Sequence, residues 1–270
     1  MRFLVTGSSG FVGKNLALYL ADHGHEVLAC VRVPELLDHP RIQPTVINDL
    51  CSIKSFDDLV GEVDVIIHCA AVSSSQNLDT NGISNLYEIN VDVTKRIALA
   101  ASKHGGKRFI FLSTVKVHGE HTLDGELFSE QSPWNPQDEY AESKVQAELT
   151  LQSIARSMAL DTVILRLPPV YGIGMKGNIQ RLVKLINMGV PLPFGALHNQ
   201  RSMVGIDNLC HLVLRCASLP HASVDRTFMV SDGHDLPVVD LLKILINAND
   251  SRSVLLPVSR SALAFLGRVL

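Results

Sequence analysis

The chain lacks the features that would mark several whole classes of protein. Charge of one sign is missing: 24 Lys and Arg stand against 27 Asp and Glu, a net charge of −3. That balance argues against a nucleic-acid partner or an anionic membrane surface as the main ligand. A phosphorylated small molecule would have to find individual cations. Long apolar runs are missing too, so no bilayer span is expected, and the first apolar stretch breaks at Thr6-Gly7, too early for a signal peptide. The five cysteines (Cys30, Cys51, Cys69, Cys210, Cys216) are odd in number and form no C-x-x-C pair. No disulfide framework or metal site is therefore expected, and a reduced compartment, the cytoplasm, fits best. Internal repeats and low-complexity segments are absent.

What is present begins at the first residues. Phe3 to Val5 reads as a buried strand, Gly7, Gly10 and Gly13 follow at two-residue intervals, and Leu16, Ala17, Leu18 and Leu20 continue as a helix. Strand, glycine turn and helix together form a place for a pyrophosphate, held by free backbone N–H groups at the positive end of a helix dipole. Gly7 suits the tight turn, Gly10 the close approach of phosphate, and Gly13 the packing of helix on strand. The spacing is G-x-x-G-x-x-G rather than G-x-G-x-x-G.

Further strands are expected at His25–Val31, 45–47, Val63–Cys69, Arg108–Leu112, Thr162–Leu167 and Arg226–Val230. Helices are expected at 55–60, Leu86–His104, Glu139–Leu160, Ile179–Met188, Ile206–Ala217 and Val238–Ala248, and loops at 72–85 and 120–138. Strands alternate with helices and are mostly continuous apolar runs, the pattern of a parallel sheet covered on both faces. The expected fold is α/β: a doubly wound Rossmann sheet over residues 1–167, followed by a smaller, Pro- and Gly-punctuated substrate lobe over 168–270. Polar clusters fall at the strand ends, where such sheets bind ligands.

The chemistry centres on Tyr140 and Lys144. A spacing of four puts them on one helix face, one turn apart. A phenol ionises near ~10 when unperturbed. A nearby ammonium and an oxidised nicotinamide both favour the phenolate, which can then take a proton from a sugar or alcohol hydroxyl, or return one to a carbonyl, as hydride moves. Ser113-Thr114, at a strand end, either cap the following loop or, through Thr114, polarise the reacting oxygen. The second strand ends in Cys30-Val31-Arg32-Val33, with no carboxylate for a ribose 2′-OH and an Arg suited to a 2′-phosphate. That favours NADP over NAD, with a solvent-exposed Arg32 as the plainer alternative.

Thr6-Gly-Ser-Ser-Gly-Phe-Val-Gly13, Val65-Ile-Ile-His-Cys-Ala-Ala71, Asn90-Val-Asp-Val-Thr94, Phe111-Leu-Ser-Thr-Val-Lys-Val-His-Gly119, Tyr140-x-x-x-Lys144, Leu165-Arg-Leu-Pro-Pro-Val-Tyr-Gly172 and Arg201-Ser-Met-Val-Gly-Ile-Asp207 occur in this order. In this set the chain resembles the extended short-chain dehydrogenase/reductases, in the nucleotide-sugar epimerase/dehydratase group. The resemblance covers almost the whole chain. It implies a catalytic group of Thr114, Tyr140 and Lys144, with Lys144 also reaching the nicotinamide ribose. It implies cofactor contacts at Phe11, Val12, Asp49, Leu50, Ala70, Ala71, Asn90 and Pro168, and substrate contacts at Thr114, Lys116, Asn178 and Arg201. Asn90 should also support the active site.

Among such enzymes the 4,6-dehydratases follow their catalytic Thr with Asp-Glu. Here Val115-Lys116 follows, which speaks against that dehydration. The C-terminal half resembles bacterial surface-polysaccharide enzymes, in particular reductases of UDP-4-keto-6-deoxy-N-acetylhexosamines. A UDP-glucose 4-epimerase-like activity is the alternative, and a non-catalytic dinucleotide-binding regulator a second. A homodimer formed through helices near 86–104 and 139–158 is expected on the same resemblance. The chain also stops in mid-amphipathic pattern, so a truncated C-terminus is expected, with apolar surface near Leu263, Phe265 and Leu266 less covered than in a longer protein.

Overall fold

A computed structural model describes residues 1–33, 37–73, 80–105, 107–123, 125–158, 160–175, 177–197, 199–220 and 226–259, with residues 80–82, 84 and 178 described by their backbone only. The expectations for Leu263, Phe265 and Leu266 lie outside these residues.

The main sheet is built from β1 (Arg2–Thr6), β2 (Glu26–Val31), β3 (Ile42–Val46), β4 (Val65–His68), β5 (Arg108–Thr114), β6 (Asp161–Leu167) and the strand Arg226–Met229. Its order is β3-β2-β1-β4-β5-β6-(226–229), and every pairing is parallel. Strand order reverses between β1 and β4, so their carboxyl ends flank the crevice where doubly wound sheets take ligands. The helices are α1 (Phe11–Asp22), α2 (Asp57–Gly61), α3 (Thr80–Tyr87), α4 (Thr94–Lys103), α5 (Glu139–Met158), α6 (Asn178–Asn187), α7 (Ile206–Ala217) and α8 (Val238–Ala248).

Alternation along the strands supplies a core on each face. Leu4 of β1, Ile66 of β4 and Phe109 and Phe111 of β5 join one apolar cluster with Val60, Ile97, Ala101, Ala147 and Leu151 from α2, α4 and α5. Their strand neighbours Phe3, Val5, Ile67 and Ile110 are equally buried on the other face. β5 and β6 are buried along their whole length. β3 differs: it starts at Ile42, earlier than the expected 45–47, and is mostly exposed with Pro44 inside it, which an edge strand tolerates.

Two sequence expectations are corrected. The loop expected at 72–85 contains most of α3, whose Asn- and Gly-containing sequence is poor in helix formers; burial of Leu86 offsets that weakness. The single helix expected at Leu86–His104 is three segments, with a π-helical stretch at Glu88–Val93 between α3 and α4. A one-residue insertion of this kind re-aims the side chains it carries, and Asn90 is among them.

The chain forms two compact units, 1–170 with 206–230, and 171–205 with 231–270. The first unit holds the whole main sheet, because α7 and the strand Arg226–Met229 belong to it. In the second unit α6 and α8 pack around Ile186, Leu192 and Leu242.

Candidate active site

The site is built at the carboxyl ends of β1, β4 and β5. Gly7 leaves β1 with φ +71°, a left-handed conformation, and a Cβ there would lie 2.8 Å from the Ala70 nitrogen after β4. A Cβ at Gly13 would lie 2.4 Å from the Gly7 oxygen. Both glycines are thus required by the protein's own packing. Gly10 is different: a Cβ there meets only the Gly7 oxygen, at 3.2 Å. Gly10 is the N-cap of α1 and offers no side-chain hydrogen bond, and the first turn holds no acid. The N–H groups of Phe11, Val12 and Gly13 therefore have no intrahelical partner and sit at the positive end of the dipole. This cradle fits the pyrophosphate of a dinucleotide such as NAD.

Arg32 is exposed beyond β2, and its main-chain N–H donates to Ser9 Oγ of the glycine turn (2.8 Å), so the second strand's end is tied to the cradle. Asp49 is exposed and its carboxylate accepts from the Cys51 N–H (2.9 Å), while Leu50 packs partly buried against the core. Ala70 abuts Gly7, and Ala71 next to it is exposed. Pro168 is buried directly after β6.

A chain of buried hydrogen bonds, not foreseen from the sequence, ties these strand ends to the helices. The Ala70 N–H donates to Thr6 Oγ1 (3.3 Å), which meets His68 Nδ1 (2.7 Å). His68 Nε2 meets Thr94 Oγ1 (2.9 Å), and that hydroxyl donates to the Asn90 carbonyl (2.7 Å). Since Thr94 gives its proton to Asn90, it must accept from His68 Nε2–H, and Nδ1 then accepts from Thr6. Burial, with the Lys144 charge nearby, holds the ring neutral by pushing its pKa down to about 3.

Asn90 itself clamps the loop after β4 to the catalytic helix. Its amide accepts from the Val72 N–H (2.9 Å) and donates to the Val72 carbonyl (3.0 Å) and to Ser143 Oγ (2.9 Å). Ser143 in turn donates to the Tyr140 carbonyl (2.8 Å). Ser143 sits in the segment between Tyr140 and Lys144, and nothing in the local sequence distinguishes it.

Helix α5 begins under tight control. Asp138 Oδ1 accepts from the Ala141 N–H (2.7 Å), and its carbonyl accepts from the Glu142 N–H (3.0 Å), an N-cap arrangement. Thr114 ends β5, nearly buried, and its Oγ1 accepts from the Lys116 N–H (3.3 Å). Lys116 Nζ reaches Asp138 Oδ2 (3.0 Å) and Glu120 Oε1 (2.7 Å). Tyr140 is half-buried, and desolvation pushes its pKa up to about 12; Lys116 opposes that rise and Asp138 adds to it. Lys144 is 2% exposed, with its ammonium 4.0 Å from the centre of the Phe111 ring. Burial pulls its pKa down to about 7, against the pull of Glu148.

Behind Lys144 lies a buried ion pair. Arg166 of β6 and Glu148, one turn beyond Lys144 on α5, approach to 2.8 Å, and Ser113 donates to the same carboxylate. Arg166 also donates to His118 Nε2 (2.8 Å), whose Nδ1–H then donates to the Pro133 carbonyl (3.1 Å). Glu148 continues the four-residue spacing from Tyr140 and Lys144, the one signal that could have revealed it.

The structure thus gathers Gly7, Gly10, Gly13, Arg32 and Ala70 at one end; it links Asn90 through Ser143 to the Tyr140 carbonyl, and Thr114 through Lys116 and Asp138 to the start of α5, with Lys144 buried over Phe111. Asn178 and Arg201 belong to the second unit. Asn178 opens α6, and Arg201 is exposed in a two-residue strand paired with Leu236 and Pro237.

Among the described residues no helix is long and apolar enough to cross a membrane. The chain is 36% identical over 258 residues to a UDP-glucose 4-epimerase of Vibrio cholerae, covering 94% of this chain and 78% of that protein. It is 27% identical to a dTDP-glucose 4,6-dehydratase of Mycobacterium tuberculosis, covering 93% and 78%. Its fold matches that of a Bacillus cereus UDP-glucuronic acid 4-epimerase solved with UDP-glucuronic acid and NAD, with a TM-score of 0.81 at 21% identity, over 96% of this chain and 87% of that one. The model of the family described as "NAD dependent epimerase/dehydratase family" matches residues 3–230, a span that holds the glycine cradle and the Tyr140 helix alike, and the chain belongs to that family of enzymes.

Proposed function

We propose that this protein is an NAD-dependent nucleotide-sugar 4-epimerase of the UDP-glucose 4-epimerase type. The observation that carries this reading over a 4-reductase is the 36% identity to the Vibrio cholerae epimerase along 94% of the chain. NAD, when bound, supplies the acceptor and donor of hydride. The chain's own residues then have distinct tasks. The open N–H groups of Phe11, Val12 and Gly13 bind the pyrophosphate. Tyr140 takes the proton of the sugar 4-hydroxyl and later returns it. Thr114 donates a hydrogen bond to the same oxygen. Lys144 holds the nicotinamide ribose, and its lowered pKa lets it take up or release a proton near neutrality. Val115 cannot transfer a proton, which argues against 4,6-dehydration. Asn178 and Arg201 of the second unit bind the nucleotide diphosphate, and a guanidinium suits phosphate. Two copies pair through α4 and α5, where Leu149 and Met158 are exposed.

A second reading, an NADPH-dependent reductase of a UDP-4-keto sugar, is favoured by one observation: Arg32 stands exposed beside the cradle where an NAD enzyme often has a carboxylate. Purified protein should interconvert UDP-glucose and UDP-galactose with NAD and show higher affinity for NADH than for NADPH. Tyr140→Phe should lower kcat by about a thousandfold while NAD binding and the thermal midpoint hold. Consumption of NADPH with a UDP-4-keto sugar, without epimerisation, would select the reductase. Full activity in Tyr140→Phe would remove Tyr140 from either mechanism.

A further inference from the structure

The residue two places after Thr114 has a task that neither the glycine cradle nor the Tyr140–Lys144 pair explains. Lys116 touches both halves of the proton-handling end. Its N–H donates to Thr114 Oγ1 (3.3 Å), and its ammonium pairs with Asp138 Oδ2 (3.0 Å). Asp138 uses its other oxygen to cap the Ala141 N–H (2.7 Å), so Tyr140 lies within the turn that Asp138 holds. One carboxylate thus fixes the start of the Tyr140 helix and binds the lysine that follows Thr114. Glu120 holds the same ammonium from the other side (2.7 Å). The side chain of Lys116 is 33% exposed and that of Asp138 30%, partly withdrawn from solvent, where charges act on neighbours more strongly than in water.

We propose that Lys116 is a positioning residue for proton transfer: braced by Asp138, it holds the end of β5 that carries Thr114 against the start of the helix that carries Tyr140. This rests on the reading of Tyr140 as the proton carrier. Other charged groups line the surrounding elements. Lys144, on the same helix, bears on Glu148 and lies over Phe111. Glu148 and Arg166 pair with each other, and His118 accepts from Arg166. Glu139 accepts a hydrogen bond from the Tyr87 hydroxyl (3.1 Å). Lys116 lowers the Tyr140 pKa and Asp138 raises it, so the two bear on the phenol with opposite signs.

Opposite signs give a test that a merely structural role would fail. In NAD-loaded protein, the phenolate absorbance of Tyr140 is titrated in the near ultraviolet, each variant measured against its own Tyr140→Phe background. Lys116→Met should raise the midpoint by about one pH unit, because Asp138 is left unopposed. Asp138→Asn keeps a capping side chain but removes the negative charge, so the midpoint should fall. Lys116→Arg should return it to within a few tenths of a unit of the wild type. The pH midpoint of kcat should follow. Midpoints that do not move, or that move in the same direction in Lys116→Met and Asp138→Asn, overturn the proposal. If Lys116→Met does not fold, Asp138→Asn and Lys116→Arg still decide it. The titration uses no sugar, so a wild type that turns over no nucleotide sugar overturns the functional reading and leaves this one to be judged by the midpoints.

Discussion

Two helices of the first unit begin in opposite ways. α1 starts at Gly10 with no side-chain cap and no acid in its first turn. α5 starts behind Asp138, which caps it, and carries Glu139 and Glu142 in its first turn. Every helix N-terminus presents the same orphan donors. At α5 the Asp138 side chain satisfies one of them, the Ala141 N–H, and fixes the turn that holds Tyr140. At α1 they are left open, and the positive end of the dipole is available to an anion. A helix start that is left uncapped between two glycines demanded by packing marks a place for a ligand. A capped start marks a place where a side chain must not move.

The contrast can be erased from either side. The largest effect should come from making α1 resemble α5. Gly10→Asp places a carboxylate at the N-cap, where φ −88° accepts any residue and a Cβ meets only the Gly7 oxygen, at 3.2 Å, so the turn must give by a few tenths of an ångström. The free protein should keep its thermal midpoint or gain slightly, while NAD affinity, read by calorimetry, should fall by about a hundredfold through like-charge repulsion. An unchanged affinity would remove the cradle from cofactor binding.

Burial of Lys144 gives the next effect. Its pKa is held down to about 7 in the folded protein against 10.5 for an ordinary lysine, so between these values the unfolded chain binds more protons. Stability of the wild type should therefore rise as pH goes from 7 toward 10, by on the order of 1 kcal/mol per unit at most. Lys144→Met removes that titration. In the free protein its thermal midpoint should exceed that of the wild type at pH 7, and the advantage should shrink as pH rises. A constant difference across that range would show that burial of the charge is not what costs stability there.

The smallest effect concerns the capped end. Asp138→Ala should cost about 1 kcal/mol of stability through loss of the cap, measured by denaturant unfolding, with NAD affinity unchanged. A loss of NAD affinity larger than the loss of stability would mean that the two helix starts are coupled rather than separate devices.

The long elements were legible because their periodicity survives folding. The apolar runs of β1, β2, β4, β5 and β6, and the helices α1, α5, α7 and α8, lie within a few residues of where the pattern placed them. α3 was not legible, since its propensity is low and the burial of Leu86 is what holds it. The π-helical segment was not legible either, because an inserted residue leaves the apolar spacing nearly intact while turning Asn90 toward Val72 and Ser143. The site divides in the same way. Gly7, Gly10, Gly13, Tyr140 and Lys144 stand out by spacing. Asp138, Ser143, Glu148 and His68 take their meaning from partners 3 to 62 residues away.

The sequence by itself determined an α/β chain with a glycine turn after its first strand and a Tyr and a Lys one helical turn apart, because those features depend on local spacing and on which side chains prefer water. Only the tertiary structure decided which donors stay open and which are satisfied. It also decided that Lys144 is buried and that Lys116 is held by Asp138, the residue that caps the Tyr140 helix. Those outcomes depend on where the ends of β4 and β5 meet α1 and α5, and electrostatic strength is set by that burial and distance rather than by position along the chain.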